Sequence, residues 1–136
     1  MMRSLLMAVL LLLPGCGPTM QSEGSAPGVT LSADRATARA GEGIELILSN
    51  NGAEPVGYNL CSSGMEMRAG ETWQPVQVDR MCTMELRILE AGQSARYPLD
   101  IPSTAQAGEY RFVTGVTGMN SDSTSTLATG AVRVTG

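Results

Sequence analysis

Residues 44–52 read Ile44-Glu45-Leu46-Ile47-Leu48-Ser49-Asn50-Asn51-Gly52. Ile44, Leu46 and Leu48 recur at a spacing of two with Glu45 and Ser49 on the opposite parity, the signature of a strand with one buried face. Asn50-Asn51-Gly52 closes the run with residues that tolerate positive φ, so a turn follows. A helix would need apolar positions at a 3.6-residue spacing, and no segment of the domain sustains that pattern.

The same alternation extends in both directions. Upstream, Val29 and Leu31 alternate with Thr30 and Ser32. Downstream, residues 56–60 form the next strand, and residues 65–68 and 72–76 read as a hairpin around Ala69-Gly70-Glu71. Ala95, Tyr97, Leu99 and Ile101 then alternate with Ser94, Arg96, Pro98 and Asp100. Pro98 has no N–H to give to a ladder, so this strand is expected at a sheet edge, and Pro102 ends it. Gly108 opens a strand carrying Tyr110 and Phe112, a polar stretch follows from residue 117, and Val132 and Val134 mark the last strand. Short strands at this spacing within residues 29–136 specify an all-β fold, an antiparallel β-sandwich of about seven strands. Trp73, the single tryptophan, is expected in its core.

Three segments also carry a resemblance. Residues 44–52 match a strand ending in an Asn-Asn-Gly turn, Leu89-Glu90-Ala91-Gly92-Gln93-Ser94 match a turn before a strand, and Ala107-Gly108-Glu109-Tyr110-Arg111-Phe112 match a strand entry. Together they resemble the bacterial immunoglobulin-like domain family over most of residues 29–136. The resemblance implies an immunoglobulin-like sandwich and is nearly silent on function, because such scaffolds host many roles.

The chain has 136 residues, and its first fifteen read MMRSLLMAVLLLLPG. Arg3 precedes an apolar run from Leu5 to Leu13 that is too short for a roughly 30 Å hydrocarbon core and has the length of an export leader. Leu13-Pro14-Gly15-Cys16 resembles a bacterial lipobox, although proline departs from the usual residue at its position. The resemblance implies cleavage before Cys16, a diacylated group joined to its sulfur as a thioether, often acylation of the new amino group, and so a lipid anchor, since two or three acyl chains hold stably where one does not. Residues 1–15 are then a signal peptide, 16–28 a lipidated Gly/Ser/Pro-rich tether and 29–136 the domain. The expected location is the outside of a membrane, leaning to the outer membrane in a Gram-negative cell because Gly17, not aspartate, follows the cysteine.

Composition removes several functions. The nine basic residues are all arginine, and against thirteen acids they leave a net charge of −4. A mildly acidic chain without a basic stretch is not expected to bind nucleic acid. It has neither histidine nor lysine, so Ser–His, Cys–His and Ser–Lys pairs are absent and the commonest metal ligand is missing.

Cys61 and Cys82, 21 residues apart, are an exported pair and most simply a disulfide. Met65, Met67, Met81 and Met84 surround them, and thioethers suit Cu(I), so periplasmic copper handling stands as the alternative to methionines that merely fill space. Residues 118–129 are placed like a loop between the last two strands, where such scaffolds bind ligands, and Asn120, Asp122 and Thr124 are its candidate contacts. With one acid and no later glutamate they are too few for Ca²⁺. Glu85 and Glu90 are the carboxylates a small hydrolase would need, although a compact sandwich offers them little cleft. The leading expectation is a non-enzymatic envelope lipoprotein without a cofactor. Its partners would be the membrane, through the anchor, and an envelope protein or glycan.

Overall fold

The computed structural model describes residues 26–136. The leader, the Leu13-Pro14-Gly15-Cys16 motif and the tether as far as Ser25 lie outside the described residues. Eleven strands follow one another: β1 (Val29–Ala33), β2 (Thr37–Arg39), β3 (Gly43–Asn50), β4 (Val56–Tyr58), β5 (Gly64–Ala69), β6 (Thr72–Val76), β7 (Arg87–Leu89), β8 (Ser94–Asp100), β9 (Gly108–Gly118), β10 (Thr124–Ala128) and β11 (Val132–Thr135). A single 3₁₀ turn, Leu60–Ser62, separates β4 from β5. Among the described residues no helix is long and apolar enough to cross a membrane.

The strands form two sheets. The smaller has the order β1-β3-β8. The larger is organised around β9, which at eleven residues pairs with four neighbours: β11 and β10, β5 and β4. β6 extends β5 and β7 extends β4, so both are edge strands. The alternation read from the sequence is the burial pattern observed. Ile44, Leu46 and Leu48 of β3 face a core that also contains Val29, Leu31 and Leu99 from the small sheet. Met65, Tyr110, Phe112, Val116, Leu127, Val132 and Val134 supply it from the large one.

The two sheets are also joined by a polar hub. Asn50 ends β3 with no exposed surface. Its Nδ2 donates to the carbonyls of Glu54 at 2.9 Å and Leu89 at 3.0 Å, and its Oδ1 accepts from the Gly52 N–H at 3.0 Å. A buried amide with all these partners is stable where an unpaired one would be costly. On the other side of the core the Tyr110 hydroxyl donates to the Gln106 carbonyl at 2.6 Å. Burial raises the tyrosine's pKa above its ordinary 10.0, partly offset by that hydrogen bond.

The fold differs from the expectation in four places. Eleven strands replace about seven, chiefly because β2 and β7, only three residues long, and β10, in the stretch expected to be loop, add to those expected. The pairing is antiparallel except for β2, which lies parallel to β11. Trp73 is not in the core. It sits half-buried on the outer face of β6, opposite Arg68, with the Arg111 guanidinium 4.7 Å and that of Arg68 5.8 Å from its ring centre. The hairpin register decides this: Met65 faces inward, so Glu66 and Arg68 alternate with it and their face carries Trp73. Residues 26–28, counted with the tether, already join the domain, since Ala26 packs on the core and Gly28 accepts from the Asn51 N–H.

Candidate interaction surface

Between β6 and β7 the chain runs through ten residues, 77–86, with no strand pairing. They cross the flank where the large sheet ends in β6 and β7 and the small sheet ends in β8. Their backbone is fixed by side chains. Cys82 is bonded to Cys61 of the 3₁₀ turn, with Cα atoms 5.8 Å apart, so the expected disulfide is present. The Arg80 guanidinium donates to the carbonyls of Cys61 at 2.9 Å and Ser63 at 3.0 Å. The Asn59 amide donates to the Thr83 carbonyl at 2.8 Å.

This anchored segment packs Val78 against the core but turns its later apolar side chains outward. Met81 and Met84 are fully exposed, and Leu86 and Ile88 are 60% and 53% exposed. Four large apolar groups within eight residues, beside an unpaired strand edge, form an uncovered patch of the kind that marks docking surfaces on soluble proteins. Leu86 lies over Gly57 of β4, its Cδ1 2.8 Å from where a Cβ on that glycine would sit, so a bare backbone lets the side chain lie flat on the sheet. The other two edges here carry prolines, Pro75 on β6 and Pro98 on β8, which blunt strand addition. β7 carries none.

A cleft of about 300 Å³ opens next to the patch, between the end of β4–β7 and β8. Tyr58 and Tyr97 line it together with Arg87, Arg96 and Glu85, and the disulfide forms part of its wall. Arg96 reaches Glu45 at 2.6 Å, and Arg87 approaches Glu85 at 3.8 Å. All of these charged groups are at least one-third exposed.

The remaining residues singled out in the sequence do not converge on one site. Met65 is buried in the core, and Met67 packs against its margin near Gly108. Met81 and Met84 extend into solvent, so the four thioethers are not gathered, and the paired cysteines supply no thiolate. No group of three or more Cys, Asp or Glu side chains placed to hold a metal ion occurs among the described residues. Glu85 lines the cleft, whereas Glu90 is exposed in the turn before β8.

Half of the expected 118–129 loop is strand, since Gly118 ends β9 and residues 124–128 form β10. Thr124 begins β10 and pairs with Thr117, and Leu127 enters the core. Only residues 119–123 form the connection, with Asp122 at φ 55°. That tip is held by Glu54, whose carboxylate accepts from the Asn120 N–H at 3.0 Å and the Ser121 N–H at 3.1 Å, and from the Ser121 hydroxyl at 2.8 Å.

The exposed patch had a partial signal in the sequence. Met84, Leu86 and Ile88 alternate with Glu85 and Arg87, but such alternation is ordinarily assigned to a core-facing strand. Leu89, directly after Ile88, is the residue that turns inward and leaves the others outside.

Residues 25–130 match the family described as the bacterial Ig-like domain. Among solved structures the chain is similar to the ASH/PapD-like domain of human CEP192 (PapD-like domain 7), at 13% identity and a TM-score of 0.39, covering 90% of this chain and 97% of that one. It is also similar to a beta-glucosidase from Listeria innocua, solved in complex with gluconolactone, at 16% identity and a TM-score of 0.37, covering 79% of this chain and 16% of that one. A family 123 glycoside hydrolase from Clostridium perfringens aligns at 15% identity and a TM-score of 0.36, covering 73% of this chain and 22% of that one. A search of curated proteins finds no match.

Proposed function

The chain belongs to the bacterial Ig-like domain family, and on that scaffold we propose that it is a non-enzymatic interaction module of the cell envelope which docks a protein partner on the Met81–Met84–Leu86–Ile88 flank. One observation carries the reading: these four apolar side chains are uncovered although the segment bearing Met81, Met84 and Leu86 is covalently and polar-pinned to the domain and Ile88 is held in β7. A segment exposed merely for want of a place to fold would not need that anchoring.

Magnitudes suit a tethered module. Fully burying such a side chain contributes about 1.5–3 kcal/mol. Leu86 and Ile88 are already partly covered, so burying all four contributes about 5–9 kcal/mol, which does no more than offset the ~4–15 kcal/mol cost of bringing two proteins together, and docking would draw on further contacts and on tethering. A lipid on Cys16 confines the domain to a thin layer beside the membrane and raises its effective concentration toward partners there. The reading therefore includes the lipidated anchor, and an outer-membrane location in a Gram-negative cell.

The test is site-specific photocrosslinking in intact cells. A crosslinker at position 84 or 88 should give a discrete adduct with an envelope protein, and one at position 30 or 133 on other faces should not. Leu86→Ser should abolish the adduct, and Cys16→Ser should reduce it while releasing the protein from membranes. Equal adducts at all four positions would overturn the docking flank. Undiminished membrane partitioning of the Cys16→Ser chain would overturn the anchor.

A further inference from the structure

We infer that the partner of the flank is a second copy of this chain, joined edge to edge in an antiparallel ladder through residues 84–88 about a two-fold axis at Leu86. The inference rests on the docking flank proposed above and names its occupant.

The edge is complementary to itself. It reads Met84-Glu85-Leu86-Arg87-Ile88. Outward from Leu86 both directions give a charged and then an apolar residue, and the two charges are opposite in sign. An antiparallel two-fold centred there sets Leu86 against its own copy, Met84 against Ile88 and Glu85 against Arg87, the last two pairings each occurring twice. Side chains directly opposed across a ladder share a face, with Cβ atoms about 4.5–5.5 Å apart. The apolar groups therefore cover one another, and two Glu–Arg pairs form on the opposite face. Moving the axis one residue, to Glu85 or to Arg87, sets like charges against each other, which is unfavourable. The charges select one register.

The edge is also available. β7 ends its sheet, with β4 on one side and no strand on the other. Residues 84–86 lead into it without a ladder, and among the described residues no backbone–backbone hydrogen bond outside the ladders engages residues 84–88. Glu85 and Arg87 are 60% and 65% exposed and stand 3.8 Å apart within one chain, beyond hydrogen-bond distance. Pairing of two copies exchanges that loose contact in each for an opposed pair between them. Each edge carries one charge of either sign, so bringing two together creates no local excess. The edges of β6 and β8 carry Pro75 and Pro98, so the contact closes as a dimer and does not propagate.

Size sets the strength. At roughly 60–120 Å² of apolar surface for a whole side chain, scaled by exposure, Met84, Leu86 and Ile88 of two copies remove about 250–500 Å² from water. Stable interfaces start near ~1,200 Å² in total, so the pair is weak in dilute solution and forms where the proposed anchor concentrates the chain.

The experiment is cysteine crosslinking of the full chain in intact cells that express two differently tagged copies, with brief diamide oxidation. Met84→Cys in one copy and Ile88→Cys in the other place two thiols directly opposite each other. Two Met84→Cys copies hold theirs four residues apart, roughly 13 Å, too far for the ~3.5–4.5 Å between Cβ atoms of a disulfide. The mixed pair should give about fivefold or more linked dimer than either variant alone. Its digest should contain peptides joined from position 84 to position 88. Glu85→Arg and Arg87→Glu should each lower the yield about three- to tenfold, since each sets two like-charge pairs opposite each other. Both reversals in one chain should restore it, which a misfolded variant would not do. Equal linkage from the mixed pair and from Met84→Cys alone, or a double reversal as poor as the single ones, would overturn the second copy as occupant. If a photocrosslinker at position 88 then captures a different protein, the docking flank stands without this inference. If it captures nothing, the flank falls as well.

Discussion

Asn50→Ala is the substitution that tests how the two sheets are joined. The wild-type amide makes three hydrogen bonds and is completely buried. A net worth of about 0.5–1.5 kcal/mol for each bond gives roughly 2–4 kcal/mol, and the carbonyls of Glu54 and Leu89 left without their donor push the value toward the upper end. Marginal domains have only about 5–15 kcal/mol in total. At about 4 °C or more per kcal/mol the midpoint should fall by roughly 10–15 °C. Urea unfolding is the assay, because a lower midpoint at unchanged slope isolates stability from compactness.

The neighbouring residue is the control. Asn51 is exposed, and its bond to the Gly28 carbonyl comes from its backbone, which alanine keeps. Asn51→Ala should cost less than about 0.5 kcal/mol. If the two alanine variants agree within that margin, the hub reasoning is refuted, and Asn50 is only a turn residue.

Replacing Cys61 and Cys82 together with serine should lower stability by about 3 kcal/mol, from loop-closure entropy over their 21-residue separation. Limited proteolysis should then cut first within residues 77–86, which have no ladder to hold them. A variant that unfolds at the wild-type urea midpoint would contradict this. Tyr110 predicts an alkaline limit. Its folded pKa lies above the ordinary 10.0, so its neutral form is favoured by folding. That contribution is complete below pH 10 and is lost as the pH rises through the elevated folded value. Tyr110→Phe should flatten the fall in stability above pH 10 and cost about 1 kcal/mol at neutral pH through the lost bond to Gln106. An unchanged alkaline profile would assign the fall to other groups.

The core was legible in the sequence because burial in a sandwich follows side-chain parity. Ile44, Leu46 and Leu48, like Tyr110 and Phe112, face inward as their alternation requires. The edge position of β8 was legible from Pro98, since a missing N–H acts locally. Trp73 was misplaced because its face depends on the register of a hairpin, which the residue's own hydrophobicity does not report. β2 and β7 escaped notice because three residues are too few to show a period, and their partners β11 and β4 lie far away in the chain. β10 was read as loop because Thr124, Ser125 and Thr126 are polar on both faces, and only Leu127 signals burial.

The candidate site was legible in its chemistry but not in its geometry. The cysteine pair and the methionines around it drew attention as a cluster, and the disulfide formed as expected. What spacing does not convey is direction. Met65 and Met81 are equally apolar, yet one lies in the core and the other is fully solvated, because a ladder holds the first and only the disulfide and two polar side chains hold the second. That arrangement bears on why the crosslink sits where it does. Closing this loop would stabilise the fold by a similar amount whatever side chains the segment carried, since the effect acts mainly on the unfolded chain. Stability alone therefore does not account for Met81, Met84 and Leu86 on the anchored stretch, where exposed apolar groups invite aggregation. The proposed docking would account for them, because a segment fixed in place before it met a partner would lose less conformational entropy on binding.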